Sequence, residues 1–422
     1  MATAKLPSLF FDARAGGYWI PLPSSKFLLL SKTDVSLHMR HAGVDGEKER
    51  KGGELSQLER LFMVAQTERS VDYAGPLAGH CIGPFLTSDG KRVLVTSQAR
   101  IPERGKGKCA FIERFLEQLL GAEQMHVFCL WLKVARRAQE SGTFAPGQIV
   151  VLAGPSNCGK SLLQSLVTEF LGGRVGKPYP YMVGETGFNS EVCASEHWQI
   201  EDENSSTDIR TRRKFAASIK EATVNQNVRI HAKGREAVTL PLFRRLTLSV
   251  NDEPENLMIL PPLDGSIMDK MHLFKCSMAK LPEDRSVTWQ TIIKEIPAFV
   301  AQCESFRIPK HMVCSRFGVK AWHHPELMEA VNDVAPETRL LALIDEVLET
   351  YWRKYDAADD WQGSAEELEK QLRASSFNFA VDKLLHYSSA CGVYLGRIAL
   401  KLPERFSLRR SNGKNIWRIQ KP

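Results

Sequence analysis

The sequence has no pair of cysteines at CxxC spacing. Its nine cysteines stand singly, at 81, 109, 129, 158, 193, 276, 303, 314 and 391. That pattern indicates neither a zinc ribbon nor a disulfide framework, and it points to a reducing compartment. Long apolar runs are also missing. The longest, around Met125 to Leu132, is eight residues and contains His126, where a bilayer span needs roughly 20. The opening MATAKLPSLFFDARAGG has one lysine, an aspartate and no continuous apolar block, so no signal peptide is expected. There is no internal repeat and no low-complexity tract. The histidines of HMRH (38–41) and His323-His324 lack cysteine or carboxylate partners at ligand spacing, which argues against zinc. What remains is ordinary globular composition, 43% hydrophobic and 25% charged over 422 residues. Such a length suggests about three domains.

The positive charge is local. Lys and Arg number 56 against 49 Asp and Glu, a net +7. Residues 391–422 hold eight of those cations and only Glu404 in opposition, so they carry the whole excess. A basic surface on a neutral body implies a polyanionic partner.

Gly154-Pro155-Ser156-Asn157-Cys158-Gly159-Lys160-Ser161 matches GxxxxGK[ST]. The context is right for a phosphate-binding loop: Ile149-Val150-Val151-Leu152 reads as a buried strand before it, and the run from Ser161 through Leu162 to Leu171 as a helix after it. Glycines let successive N–H groups face one concavity, and the helix N-terminus adds positive partial charge there. Lys160 is placed to reach the β- and γ-phosphates of a nucleotide, and the Ser161 hydroxyl to ligate Mg²⁺. Cys158 reads as a spacer facing away from phosphate, with a pKa that loop N–H groups can lower.

Hydrolysis needs a carboxylate at a neighbouring strand end. His197-Trp198-Gln199-Ile200 followed by Glu201-Asp202-Glu203 supplies it, 41 residues after Lys160 at its first acidic residue. Asp202 is expected on the Mg²⁺ side, and Glu201 or Glu203 on the attacking water. The next strand, Leu246 to Val250, ends in Asn251, a neutral amide that can hold water without competing for Mg²⁺. Between them lie a helix over about 208–222 and a hairpin with a basic turn, Lys233-Gly234-Arg235.

The order of these elements resembles a superfamily 3 helicase core, which is AAA+-like. More narrowly it is similar to the helicase part of phage and plasmid primase–helicases, over about 110–275. HWQIEDE, VRIHAKGRE and LTLSVNDEP, in that order, carry the resemblance. It implies ATP and Mg²⁺ as ligands, Glu201 and Asp202 as the acidic pair, Lys233 as the hairpin lysine tracking a nucleic-acid backbone, and Asn251 as sensor. It also implies homo-oligomeric rings, usually hexamers, with ATP sites between neighbours. One departure stands out: PPLDGSIMDKMHLFKC, after the sensor, has no arginine to act across the interface. Lys270 is its nearest cation. Lysine cannot fork two phosphate oxygens as arginine does, so the finger comes from elsewhere, such as Arg244 or Arg245, or hydrolysis is slow.

The expected organisation is a small mixed α/β domain (1–108), a helical collar (109–144), a P-loop ATPase core (145–285), a helical lid (286–338) and a C-terminal domain (339–422). In the first, residues 1–42 read as short strands, 43–58 as a loop entering a helix, and Asp89-Gly90 as a hairpin turn before RVLVT. In the collar, Phe111, Phe115, Leu119 and Leu120 share a helix face, Gly121 stops that helix, and a second runs from about Glu123 to Glu140. In the last domain, RLLALIDEVLETYWRK (339–354) is an amphipathic helix, Ser364 and Glu367 form a capping box for a second, and Ser376 opens a third. Asn412-Gly413 then turns a hairpin bearing Arg409, Arg410, Lys414 and Arg418. Three helices and a basic hairpin resemble a winged helix that binds DNA phosphates. Trp131, Trp198, Trp352 and Trp361 are expected in cores or interfaces.

These readings converge on an α/β P-loop NTPase with a winged-helix-like C-terminal domain. The expected function is an ATP-dependent helicase or replication initiator of a mobile element, cytoplasmic, acting on single-stranded or forked DNA, with a separate primase or polymerase as a further partner and no membrane. The alternative is a nucleotide-switched DNA-binding assembly with low turnover.

Overall fold

Fully apolar, β-branched strands need cover on both faces, and Ile149–Ala153 is such a strand, with every residue buried. The computed structural model describes residues 8–46, 55–201, 209–257, 259–260, 267–282, 284–333, 336–354, 360–385, 388–411 and 414–421. The chain divides into two compact units, residues 1–252 with 264–324, and 253–263 with 325–422.

The first unit opens with an antiparallel sheet of β1 (Phe10–Asp12), β2 (Gly17–Leu22) and β3 (Lys26–Leu30). The expectation of strands alone to residue 42 is corrected here, because Lys32–His41 forms α1. The Ser31 side chain caps it at the Asp34 amide, and Val35 and Met39, one turn apart, bury. After it, α2 (Gln57–Thr67) starts with a capping box between Ser56 and Glu59 and packs Leu58, Leu61 and Phe62 against Tyr18 and Ile20. A second sheet, β4 (Tyr73–Gly75), β5 (Gly83–Leu86) and β6 (Arg92–Val95), has the order β4-β6-β5. Its hairpin turns at Asp89-Gly90, where Gly90 takes φ +80°.

Next comes α3 (Ala110–Glu140), broken at Gly121, whose φ of +71° lies outside helical space. Its apolar face joins β7 (Ile149–Ala153) in the main core. The chain continues through α4 (Lys160–Phe170), β8 (Val175–Gly176), α5 (Tyr179–Val183), α6 (Ser190–Cys193), β9 (His197–Glu201) and α7 (Ile209–Val224). The hairpin β10 (Asn227–Ile230) and β11 (Val238–Pro241) leads to β12 (Arg245–Val250). The four-residue α8 (Pro254–Leu257) belongs to the second unit, and β13 (Met271–Lys275) returns to the first. The central sheet has the order β13-β7-β12-β9-β8, and every pairing is parallel. Register aligns Val250 and Lys275 with Ala153, and Ser249 with Glu201. All C-terminal strand ends therefore meet at one edge, the edge where parallel sheets bind ligands. The last α-helix of the first unit, α9 (Arg285–Ser305), buries Ile292, Phe299 and Val300 in the main core, and the two-residue strands β14 (Val313–Cys314) and β15 (Gly318–Val319) pair after it.

The second unit contains α10 (Pro325–Asp333), α11 (Pro336–Lys354), β16 (Asp360–Gly363), α12 (Ala365–Arg373), α13 (Asn378–Leu384), α14 (Ala390–Lys401), β17 (Phe406–Ser411) and β18 (Lys414–Gln420). Its antiparallel sheet has the order β16-β18-β17. Leu340, Ile344 and Leu348 of α11 pack with Tyr394, Leu395, Phe406 and Trp417. The Ser364–Glu367 capping box forms. Ser376 does not cap α13; Phe377 holds that position without a side-chain bond, and the Phe377 amide donates to Ser375 Oγ at 3.1 Å. The run before the basic hairpin is a fourth helix, α14, because Tyr394, Leu395 and Ile398 bury at helical spacing. Asn412 and Gly413 lie outside the described residues, while the flanking strands pair out to Ser411 and Lys414. Trp131, Trp198, Trp352 and Trp361 are all buried. Among the described residues no helix is long and apolar enough to cross a membrane.

Losing the Ser364 hydroxyl removes one bond of its box. Ser364→Ala should destabilise the second unit by about 1 kcal/mol, read as a lower urea midpoint with an unchanged m-value.

Candidate active site

The loop after β7 is shaped by what its backbone must approach. A Cβ on Gly154 would lie 2.4 Å from the Cys276 carbonyl oxygen, so only glycine lets the loop pass the end of β13. The Gly154 amide donates to the Val250 carbonyl at 3.3 Å, tying the loop to β12. Asn157 (φ +61°) and Gly159 (φ +119°) take left-handed conformations, which turn the chain into α4. Pro155 is half-buried, Ser156 and Asn157 are exposed, and Leu162 is half-buried in the first turn of α4.

Lys160 is 5% exposed, and its ammonium is satisfied within the site. Nζ donates to the carbonyls of Gly154 (2.7 Å) and Pro155 (2.8 Å) and to Asn251 Oδ1 (3.2 Å). Ser156 Oγ also reaches Asn251 Oδ1, at 3.4 Å. Loop and sensor positions thus share one cation. Ser161 is exposed beside them, free to turn its hydroxyl toward a ligand.

Cys158 is fully buried. A hydrogen bond from the Cys276 thiol, with the nearby Lys160 charge, outweighs burial and lowers its pKa to about 6. That corrects the expected cause, because the neighbouring thiol contributes more than the loop N–H groups.

Glu201 ends β9 beside Ser249 and is ion-paired with Lys177, both partly exposed. Asp202 and Glu203 lie outside the described residues. Sequence reasoning missed the brace behind this edge. His197 is fully buried and hydrogen-bonds Thr168 Oγ1 (2.7 Å) and Thr247 Oγ1 (2.8 Å). Gln164 donates to Thr247 Oγ1 (2.9 Å) and the Ile200 carbonyl (3.1 Å). This network fixes α4 against β9 and β12 and so sets the loop's distance from the acidic strand. Its signal was present: polar residues at 164, 168, 197 and 247 on otherwise apolar faces.

Arg244 and Arg245, the expected sources of a finger, and Lys270, the nearest cation after the sensor, are each bonded within the chain. Arg244 is 7% exposed and donates to the backbone carbonyls of Ala222, Glu221 and Asn225. Arg245 is 1% exposed, donates to the Ala145 and Arg244 carbonyls, and has its pKa lowered to about 9 by burial. Lys270 is 8% exposed and bonded to Asp269 at 2.7 Å, at the start of β13, opposite the loop's edge of the sheet. Each is held inside its own chain, which corrects the expectation.

The hairpin turn separates its two cations. Lys233 is exposed. Arg235 folds back onto Asp12 at 2.8 Å, which corrects its placement as a second backbone contact. In the second unit Arg409 and Arg410 are exposed on β17. Arg418 on β18 is exposed too, but ion-paired with Asp360, which reduces the charge it offers. The Lys414 side chain lies outside what is described.

Five parallel strands, the glycine-rich loop and α4 make a P-loop NTPase-like α/β core. No family model matches the sequence, and no curated protein matches it. The fold is similar to that of the NrS-1 C terminal region in its apo form, with a TM-score of 0.56 and 12% identity over 99% of this chain and 96% of that one. The A form of the same apo region gives 0.54 and 11%, over 99% and 97%. At this identity the likeness is one of fold. A JCV helicase structure gives a TM-score of 0.28 over 56% of this chain, too low to carry an argument.

Burial lowers the pKa of His197 and of His272 to about 3, so both rings stay neutral in the fold. The unfolded chain takes up those protons below about pH 6.5. Their stabilising contribution is therefore full above pH 6.5 and lost as pH falls toward 3. The melting temperature should drop between pH 6.5 and 4, and His197→Gln should flatten that slope.

Proposed function

We propose that the chain is an ATP-driven ring helicase or replication initiator of a mobile genetic element, acting on single-stranded DNA. One observation carries the reading. Lys160, Asn251 and the end of β9 meet at one sheet edge, and the chain between Glu201 and Arg245, where β12 begins, contains α7 and the Lys233 hairpin. The excursion starts at that edge, at Glu201, and re-enters the sheet at Arg245, from where β12 runs back to Asn251, so a shift at the edge reaches the turn through α7 on one side and β12 on the other.

The loop N–H groups and the start of α4 receive the phosphates. Lys160 exchanges the Gly154 and Pro155 carbonyls for β- and γ-phosphate oxygens, a charge-assisted contact. That frees the Asn251 carboxamide to hold the attacking water, whose proton passes to Glu201 or Glu203. Ser161 fits a Mg²⁺ role because its hydroxyl is exposed beside Lys160, with Asp202 assigned from sequence. Bound Mg²⁺ would neutralise charge on the β- and γ-oxygens. Neighbouring copies, six in the commonest arrangement of such rings, would place ATP sites at their interfaces. Arg409 and Arg410 suit phosphate contacts of a winged-helix-like second unit.

The burial of Arg244, Arg245 and Lys270 favours one second reading, a nucleotide-switched DNA-binding assembly that turns over slowly. ATP turnover with and without a single-stranded oligonucleotide separates the two. The motor predicts stimulation of about tenfold or more, since an aligned site gains rate steeply with small rearrangements, and loss of that stimulation in Lys233→Ala. DNA-independent, slow turnover supports the switch. Failure to bind ATP refutes both.

A further inference from the structure

The first 100 residues take no part in the chemistry above, yet they grip the hairpin. The apolar face of β10 and β11, with Val228, Ile230, Val238 and Leu240, forms one buried cluster with Tyr73, Val93 and Val95 of β4 and β6. At the turn the contacts are polar. Asp12 is fully buried, and it accepts from the Ala15 amide (3.0 Å), Trp19 Nε1 (3.1 Å) and Arg235 Nη2 (2.8 Å). Arg14 pairs with Glu236 at 3.2 Å, and Lys91 Nζ donates to the Ala237 carbonyl at 3.0 Å. Three successive turn residues, 235 to 237, are held from one side. Lys233 and Gly234 stay exposed, with Gly234 at φ +72° and the Arg235 amide closing the turn on the Ala232 carbonyl at 3.1 Å.

These contacts differ in weight. Arg14–Glu236 is exposed, and exposed pairs contribute little. Asp12–Arg235 is not. A buried carboxylate with two other donors is fixed in place, and the guanidinium that meets it has no hydrogen-bond partner for Nη1 among the described residues. Among the described residues Asp12 is the hydrogen-bonding partner of the Arg235 guanidinium, and without its charge the buried cation is driven toward water.

We propose that Asp12 is a positioning residue for the hairpin: by holding Arg235 beneath the turn it fixes the direction in which Lys233 meets the nucleic-acid backbone. This rests on the reading of Lys233 as a DNA contact.

The test uses the full chain and a single-stranded oligothymidylate. Asp12→Asn should keep basal ATP turnover but lose about tenfold in DNA-stimulated turnover, Arg235→Gln should lose a similar factor of stimulated turnover, and the double variant no more than either single. In both singles, backbone amides of 227–241 should exchange with deuterium faster, while those of 149–164 keep the wild-type rate. Full stimulation in Asp12→Asn, losses that multiply in the double variant, or unchanged hairpin exchange would each overturn the proposal. If Asp12→Asn does not fold, Arg235→Gln gives the same readouts, since it leaves the carboxylate its Ala15 and Trp19 donors. Full stimulation in Lys233→Ala would remove the reading beneath the proposal instead, and hairpin exchange would still report whether the clamp exists.

Discussion

One ammonium group holds the nucleotide edge together. Lys160 Nζ spans two loop carbonyls and the Asn251 side chain, joining the end of β7 to the end of β12. A buried cation must be solvated by the protein, and here the groups solvating it are those a triphosphate would displace. The loop is therefore closed on its own charge. In the proposed mechanism, phosphate would release the Gly154 and Pro155 carbonyls and uncouple Asn251 in one exchange. The register of five parallel strands makes this possible, because it aligns Ala153, Val250 and Glu201 within a residue of one another along the sheet.

Function then depends on how that exchange travels. The chain leaves the edge at Glu201, passes α7 and the hairpin, re-enters the sheet at Arg245 beside His197 and reaches Asn251 only after running the length of β12. Behind the edge, His197, Thr168, Thr247 and Gln164 form a neutral, satisfied polar brace that keeps α4 from sliding against β9 and β12. In front of it, the N-terminal sheets take the hairpin's apolar face and Asp12 takes Arg235. In the proposed motor, this support would turn a local change of hydrogen-bond partners into a displacement, since packed elements transmit shifts instead of absorbing them.

Local chemistry was readable from the residues. The loop, its strand and helix, the Asn251 strand, the Asp89-Gly90 turn, the break at Gly121 and the Ser364 box each depend on neighbours within a few positions. What was hidden depends on distance in sequence. Asp12 and Arg235 are 223 positions apart, so no spacing rule pairs them. Arg244 and Arg245 were candidates for a finger by position alone, and their bonds to backbone carbonyls arise only in the fold. α1 was obscured because KFLLL reads as a strand and its edge blurs the polar helix beginning at Lys32. α14 was missed because two glycines, Gly392 and Gly396, dilute its helical pattern, although tertiary packing of Tyr394, Leu395 and Ile398 overrides that weakness.

The central claim is the exchange at Lys160, and a structure of the chain with Mg²⁺ and a non-hydrolysable ATP analogue tests it most directly. The account predicts Lys160 Nζ on β- and γ-phosphate oxygens, with the Gly154 and Pro155 carbonyls released and the Asn251 amide turned toward the γ-phosphate. A triphosphate bound elsewhere, or a Lys160 still closed on its loop with the nucleotide in place, would contradict it.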